Sequence, residues 1–158
     1  MTPFRALGDD DGRASGGWLA AVVPDSLAVR ALSVEVRGPS RVTVGDPVEF
    51  AVVVQNRLPT PVSLTLPSSR LWGWEVDGLP EADERGYEAP DAQRIVTFGR
   101  REQRVFETRW DGRIRTRDDG SDRWVPSHGP VTFTGYLAVP SWEQRGVFDT
   151  QQIEVVPA

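Results

Sequence analysis

The feature that most constrains this chain is an alternation of apolar and polar residues that starts near Ala31 and recurs, between turn-forming clusters, as far as Val156. A period of two is what a strand shows when one face is buried and the other is wet. Leu32, Val34 and Val36 alternate with Ser33, Glu35 and Arg37, and Val42 and Val44 follow the turn at Gly38-Pro39-Ser40. In residues 48–55, Val48, Phe50, Val52 and Val54 share one face. Ala51 and Val53 make the other face semi-apolar, as expected of a central strand. Val62, Leu64 and Leu66 form the next strand, and Trp72, Trp74 and Val76 the one after it, ended by the hairpin-type pair Asp77-Gly78.

Farther on, residues 95–98 and 104–110 read as two arms of a hairpin around Gly99-Arg100-Arg101-Glu102. Residues 113–125 read as a long polar excursion whose centre, Arg117 through Asp122, is an exposed loop. Val131, Phe133, Gly135, Leu137 and Val139 resume the alternation, and residues 150–156 close it. The expected fold is an all-β, immunoglobulin-like antiparallel β-sandwich of about seven to nine strands. It is expected to occupy residues 30–158. Residues 1–29 are rich in Gly, Asp and Ala and are expected to be an N-terminal tail with a short packed segment, in which Pro24-Asp25-Ser26-Leu27 starts a helical turn.

Composition narrows the function classes. With 158 residues, the chain can form one domain with a real core. The formal net charge is −5, against the basic face that nucleic acids and anionic membranes require, so no nucleic-acid partner is expected. All 18 basic residues are Arg. No apolar run nears the ~20 residues of a membrane helix, so no membrane insertion is expected. Asp9, Asp10 and Asp11 precede the apolar run at residues 18–24, unlike the order of a secretory signal, which makes a cytoplasmic location the expectation. The absence of Cys excludes disulfides and thiolate chemistry.

Little in the sequence points to catalysis, and no cofactor is expected. His128 is the single histidine and sits in the turn-like Ser127-His128-Gly129-Pro130, with no Gly-x-Ser-x-Gly nucleophile elbow nearby. Asp118, Asp119 and Asp122 lack the spacing of a calcium loop. Six tryptophans invite a binding reading, because exposed indoles stack on sugars or anchor protein partners. Trp72, Trp74 and Trp110 lie on apolar strand faces and are expected in the core, whereas Trp124 and Trp142 lie near loops and are expected to be exposed. Arg113, Arg115 and Arg117 place three cations on one side of an extended segment, to meet an anionic partner or to protect an edge.

The segments Val52-Val53-Val54-Gln55-Asn56, Pro61-Val62-Ser63-Leu64-Thr65-Leu66-Pro67, Trp74-Glu75-Val76-Asp77-Gly78 and Phe106-Glu107-Thr108-Arg109-Trp110-Asp111-Gly112 carry a resemblance. In order and spacing they resemble the BsuPI-like intracellular proteinase inhibitor family, an immunoglobulin-like sandwich. The whole chain, including Asn56-Arg57-Leu58-Pro59 and Ser69-Arg70-Leu71-Trp72-Gly73-Trp74, is also similar to an uncharacterised group from halophilic archaea. The resemblance implies a noncatalytic protein-binding or regulatory module whose partner is a protein, with a protease as the most specific candidate. An inhibitor presents a preorganised loop to its target, and the candidates are residues 58–61, with Leu58 and Pro59, and residues 81–90, with Glu81, Arg85 and Tyr87. The alternatives are a carbohydrate-binding module using Trp124 or Trp142 and a structural assembly component docking through residues 18–23.

Overall fold

The computed structural model describes residues 25–86 and 88–158. Its first element is the short helix α1 (Asp25–Ala31), with Asp25 in the first turn and Arg30 in the last, both favourable to the helix dipole. Ala28, Val29 and Ala31 are buried beneath it, so the packed core begins within the span expected to be an N-terminal segment. The expected apolar segment at residues 18–23 lies outside the described residues.

One sheet has the order β1-β3-β8, from Leu32–Arg37, Val48–Asn56 and Gln103–Trp110, all antiparallel. The second has the order β2-β12-β11-β5-β6, from Arg41–Thr43, Phe148–Val156, Gly129–Leu137, Trp72–Val76 and Leu79–Pro80. In it β2 runs parallel to β12 while the other pairings are antiparallel. The expected immunoglobulin-like sandwich is therefore present. Twelve strands are described, because breaks in the ladders divide the longer ones.

The main break corrects the hairpin expected of residues 95–110. β7 (Arg94–Phe98) does not pair with β8; it pairs with β4 (Val62–Leu66). The register Gln55↔Gln103 resumes as Val62↔Phe98, so residues 56–61 bulge opposite residues 99–102 and the same two chain directions continue past the bulge. Asn56, fully buried, holds the junction together. Its Nδ2 donates to the carbonyls of Thr60 at 2.8 Å and Gly99 at 2.9 Å, and its Oδ1 accepts from Leu58 N–H at 3.0 Å. A buried amide is tolerated only when its groups are paired in this way.

The polar excursion of residues 113–125, by contrast, is a hairpin, β9 (Arg113–Asp118) with β10 (Ser121–Pro126), turning through Asp119 and Gly120 at positive φ. Positive φ at both central residues is the turn that matches strand twist. The hairpin is tied to the end of the second sheet by Arg115 N–H donating to Ala82 O at 2.7 Å and Glu84 N–H to Arg115 O at 3.0 Å.

Between the sheets lies an aromatic cluster, in which Phe133 stacks on Phe50 at 4.4 Å and on Trp74 at 5.3 Å. An aliphatic cluster around Leu64, Leu66, Phe98, Leu137 and α1 fills the other end. Each such buried side chain contributes roughly 1.5–3 kcal/mol. Gly135 sits where β11 packs closely against the other sheet. A Cβ there would come within 2.6 Å of Val52 Cγ2 and 2.9 Å of Val36 Cγ2.

Candidate binding groove on the open side of the sandwich

On one lateral side the two sheets are joined. The chain crosses from β1 to β2 at residues 38–40, Asp149 Oδ2 accepts from Val36 N–H at 2.8 Å, and Gln151 Nε2 donates to the carbonyls of Gly38 and Pro39 at 2.8 and 3.0 Å. On the other side the join lies beyond the end of β8, where the chain crosses at residues 111–112 into β9 and Arg115 N–H donates to Ala82 O; beside β8 itself the sheets part. There β8 ends its sheet, with no strand paired to its outer edge among the described residues, and faces β6, which is two residues long.

The shortness of β6 has a local cause. Asp77 and Gly78 reverse the chain at positive φ, and beyond Pro80, which cannot donate to a ladder, Glu81 and Ala82 take φ values of 52° and 60°. The strand cannot continue through two left-handed residues. As a result the inward residues of β8, namely Arg104, Phe106 and Thr108, are only half-buried, and only Trp110 is fully covered.

Two depressions lie along this opening. The first, about 470 Å³, is floored by Trp72 and Phe106, whose rings stack at 5.3 Å, and is rimmed by Arg70, Arg94, Arg104 and Glu81. Arg70 pairs with Glu81 and donates from Nε to Trp72 O at 2.8 Å. Arg104 binds Glu102 Oε2 at 2.7 Å and Thr97 O at 2.7 Å, and lies 4.3 Å from the centroid of the Phe98 ring. Arg94 donates to Ser69 O at 3.1 Å. The second depression, about 430 Å³, is lined by Pro47, Trp74, Trp110, Trp124, Arg109 and Asp111, with Glu81 shared between the two. Trp110 Nε1 donates to Arg113 O at 2.7 Å, and Trp124 is 55% exposed, the guanidinium of Arg115 lying 5.9 Å from its ring.

Behind the second depression an ion-pair network fastens the β9-β10 hairpin to the 81–86 turn. Arg85 binds Asp83 Oδ2 at 2.7 Å and Asp122 Oδ2 at 3.0 Å, and Arg115 also binds Asp122 Oδ2, at 2.9 Å. The hydrogen-bonded guanidinium of Arg85 holds the Asp83 carboxyl down to about 2. Arg115 is thus committed to this network. Among the described residues no group of three His, Asp or Glu side chains is placed to hold a metal ion.

Of the residues singled out in the sequence, Glu81 and Trp124 meet in the groove, and Arg85 supports its wall. Tyr87 lies outside the described residues. Leu58 and Pro59 are exposed on the bulge that Asn56 organises, away from both depressions; Leu58 O there accepts from Arg101 N–H at 3.0 Å. Trp142 corrects the expectation of a free ring. It lies in α2 (Trp142–Arg145), half-buried, stacked on Tyr136 at 4.3 Å and edge-on to Phe148 at 5.5 Å. Gly73 makes room for that outer cluster, since a Cβ there would meet the Tyr136 hydroxyl at 2.5 Å. Sequence reasoning missed Trp72, Phe106, Arg70, Arg94 and Arg104 as groove residues. The half-polar inward face of β8 was the available signal.

Strand order and groove define an immunoglobulin-like sandwich, sealed along one side and open along the other. The chain belongs to the family of unknown function DUF7974, whose model matches residues 20–156. No curated protein sequence matches it. Similar solved structures include the CARDB domain of PF1109 from Pyrococcus furiosus in solution, at 20% identity over 80% of this chain and 94% of that one, with a TM-score of 0.49. The crystal structure of that domain with di-metal ions has 20% identity over 79% and 87%, with a TM-score of 0.47. A β-glucosidase from Listeria innocua in complex with isofagomine has 10% identity over 80% of this chain and 16% of the enzyme, with a TM-score of 0.47.

Proposed function

We propose that this chain is a noncatalytic protein-binding module that holds an extended segment of its partner along the open side of the sandwich. The observation that carries this reading is β8, an eight-residue strand with no strand paired to its outer edge among the described residues and a half-covered inner face. Such an edge offers main-chain hydrogen bonds to an added strand, while neighbouring depressions take alternate side chains of that strand. Selection of random linear peptides on the purified full chain, beside a glycan panel, tests it. Peptide binding with no glycan binding is the expected result. Glycan binding that quenches tryptophan fluorescence, with no peptide enriched, would replace this reading with a carbohydrate-binding module centred on Trp124.

A second, finer reading is proteinase inhibition through residues 58–61, in line with the resemblance to the BsuPI-like family. It is favoured by the way Asn56 and Arg101 fix that loop before any partner binds, which lowers the ordering cost of association. Inhibition of purified intracellular proteinases that is lost in Leu58→Asp is the expected outcome; no inhibition across the panel would remove this reading.

A further inference from the structure

We infer that the segment held along β8 carries an acidic side chain for the depression rimmed by Arg70, Arg94 and Arg104, and an aromatic or branched apolar side chain for the depression lined by Trp74, Trp110 and Trp124. This rests on the peptide-binding reading above and adds the ligand's chemistry.

Charge complementarity supplies the acidic half. The chain as a whole is acidic, at −5, yet three guanidinium groups rim the first depression; Arg70 pairs with Glu81 and Arg104 with Glu102, which leaves the positive charge of Arg94. Arg94 makes no ion pair among the described residues; its one described hydrogen bond is to a backbone carbonyl. A guanidinium so placed keeps donors for an incoming carboxylate, which it meets in a planar, two-point geometry. The stacked Trp72 and Phe106 beneath exclude water from one side of such a pair and so reduce its screening.

Shape and polarity supply the apolar half. The second depression combines the exposed indole of Trp124 with Trp74, Trp110 and Pro47, and its nearby charges are already engaged. Arg109 pairs with Glu49 at 2.8 Å and Asp111 with Arg113 at 3.5 Å. An aromatic pocket of this kind, desolvated when a side chain enters it, anchors Trp, Tyr, Phe or Leu.

Strand geometry fixes the spacing. Arg104 and Phe106 mark the first depression and Trp110 the second, all on the inward face of β8. A strand rises about 3.3 Å per residue and repeats its faces every second residue, so the two anchors of a paired strand stand about four to six positions apart, at an even interval.

The test sequences peptides selected from a random linear library on the full chain and on two variants. The wild type is expected to enrich Asp or Glu at an even interval from an aromatic residue or Leu. Arg94→Glu, at an exposed site, is expected to lose the acidic preference and to bind an acid-bearing selected peptide roughly tenfold more weakly, and added salt is expected to weaken the wild-type complex. Trp124→Ala is expected to lose the aromatic preference and keep the acidic one. Circular dichroism establishes that both variants remain folded, with Arg94→Gln as the milder substitute. Enriched peptides without an acidic position, or an acidic preference unchanged in Arg94→Glu, would overturn this inference and leave the peptide-binding reading standing. If no peptide is enriched, both fall together.

Discussion

The two lateral sides of the sandwich solve the same problem in opposite ways. Along β1 and β2 the chain itself passes from one sheet to the other, and Asp149 and Gln151 hold the crossing by hydrogen bonds. Along β8 and β6 the second sheet stops early, and aromatic and arginine side chains line the space that another strand would have covered. Contacts on the sealed side act mainly on stability. Those on the open side are free to vary with a ligand, so substitutions should separate the two.

The largest loss of stability is expected at the junction that shapes the β8 sheet. Asn56→Ala leaves the carbonyls of Thr60 and Gly99 and the Leu58 N–H without the amide that joins them, and an expected cost of about 3 kcal/mol is measured by urea denaturation. Between the central strands, Gly135→Ala forces a methyl group against Val36 and Val52, which should cost about 1–3 kcal/mol by the same measurement. Asp149→Ala removes the acceptor of Val36 N–H and should cost about 1–2 kcal/mol.

Behind the open side the expected effect depends on pH. Asp83 titrates at about 2 in the fold against an ordinary value of 3.8, chiefly because Arg85 hydrogen-bonds to its carboxylate. A carboxyl whose folded value is depressed contributes stability in full above its unfolded value and loses it as pH falls toward the folded one. The melting temperature should therefore fall between about pH 4 and pH 2, less steeply in Asp83→Asn. The smallest change is expected at Trp124, where replacement by Ala should alter stability by no more than about 0.5 kcal/mol, because its ring is largely in solvent. A large loss there would blur the distinction between the sides.

Much of the architecture was legible because strands buried on one face leave a period of two, and β3, β5 and β11 carry it clearly. The Asp77-Gly78 turn was legible for a local reason, since few residues accept its backbone angles. The junction at Asn56 was not. Gly99-Arg100-Arg101-Glu102 has the composition of a hairpin turn, and what redirects β7 to β4 is a hydrogen bond between residues 43 apart. The β9-β10 hairpin was hidden because it buries little: of its residues Ile114 and Val125 are half-covered at best, so Arg-Ile-Arg-Thr-Arg shows no strong apolar face. The groove was only partly legible. Trp124 and Glu81 could be picked out as residues, but the groove itself exists because β6 ends at Pro80 opposite an edge strand that the chain reaches only later, at Gln103.

The most direct test of the account is hydrogen exchange on the full chain with and without a peptide selected on it. Slowed exchange of the amides of residues 103–110, with those of β1, β2 and β12 unchanged, is the predicted result, since an added strand protects the edge it pairs with. Protection confined to the sealed side or to residues 58–61, with β8 unaffected, would contradict it.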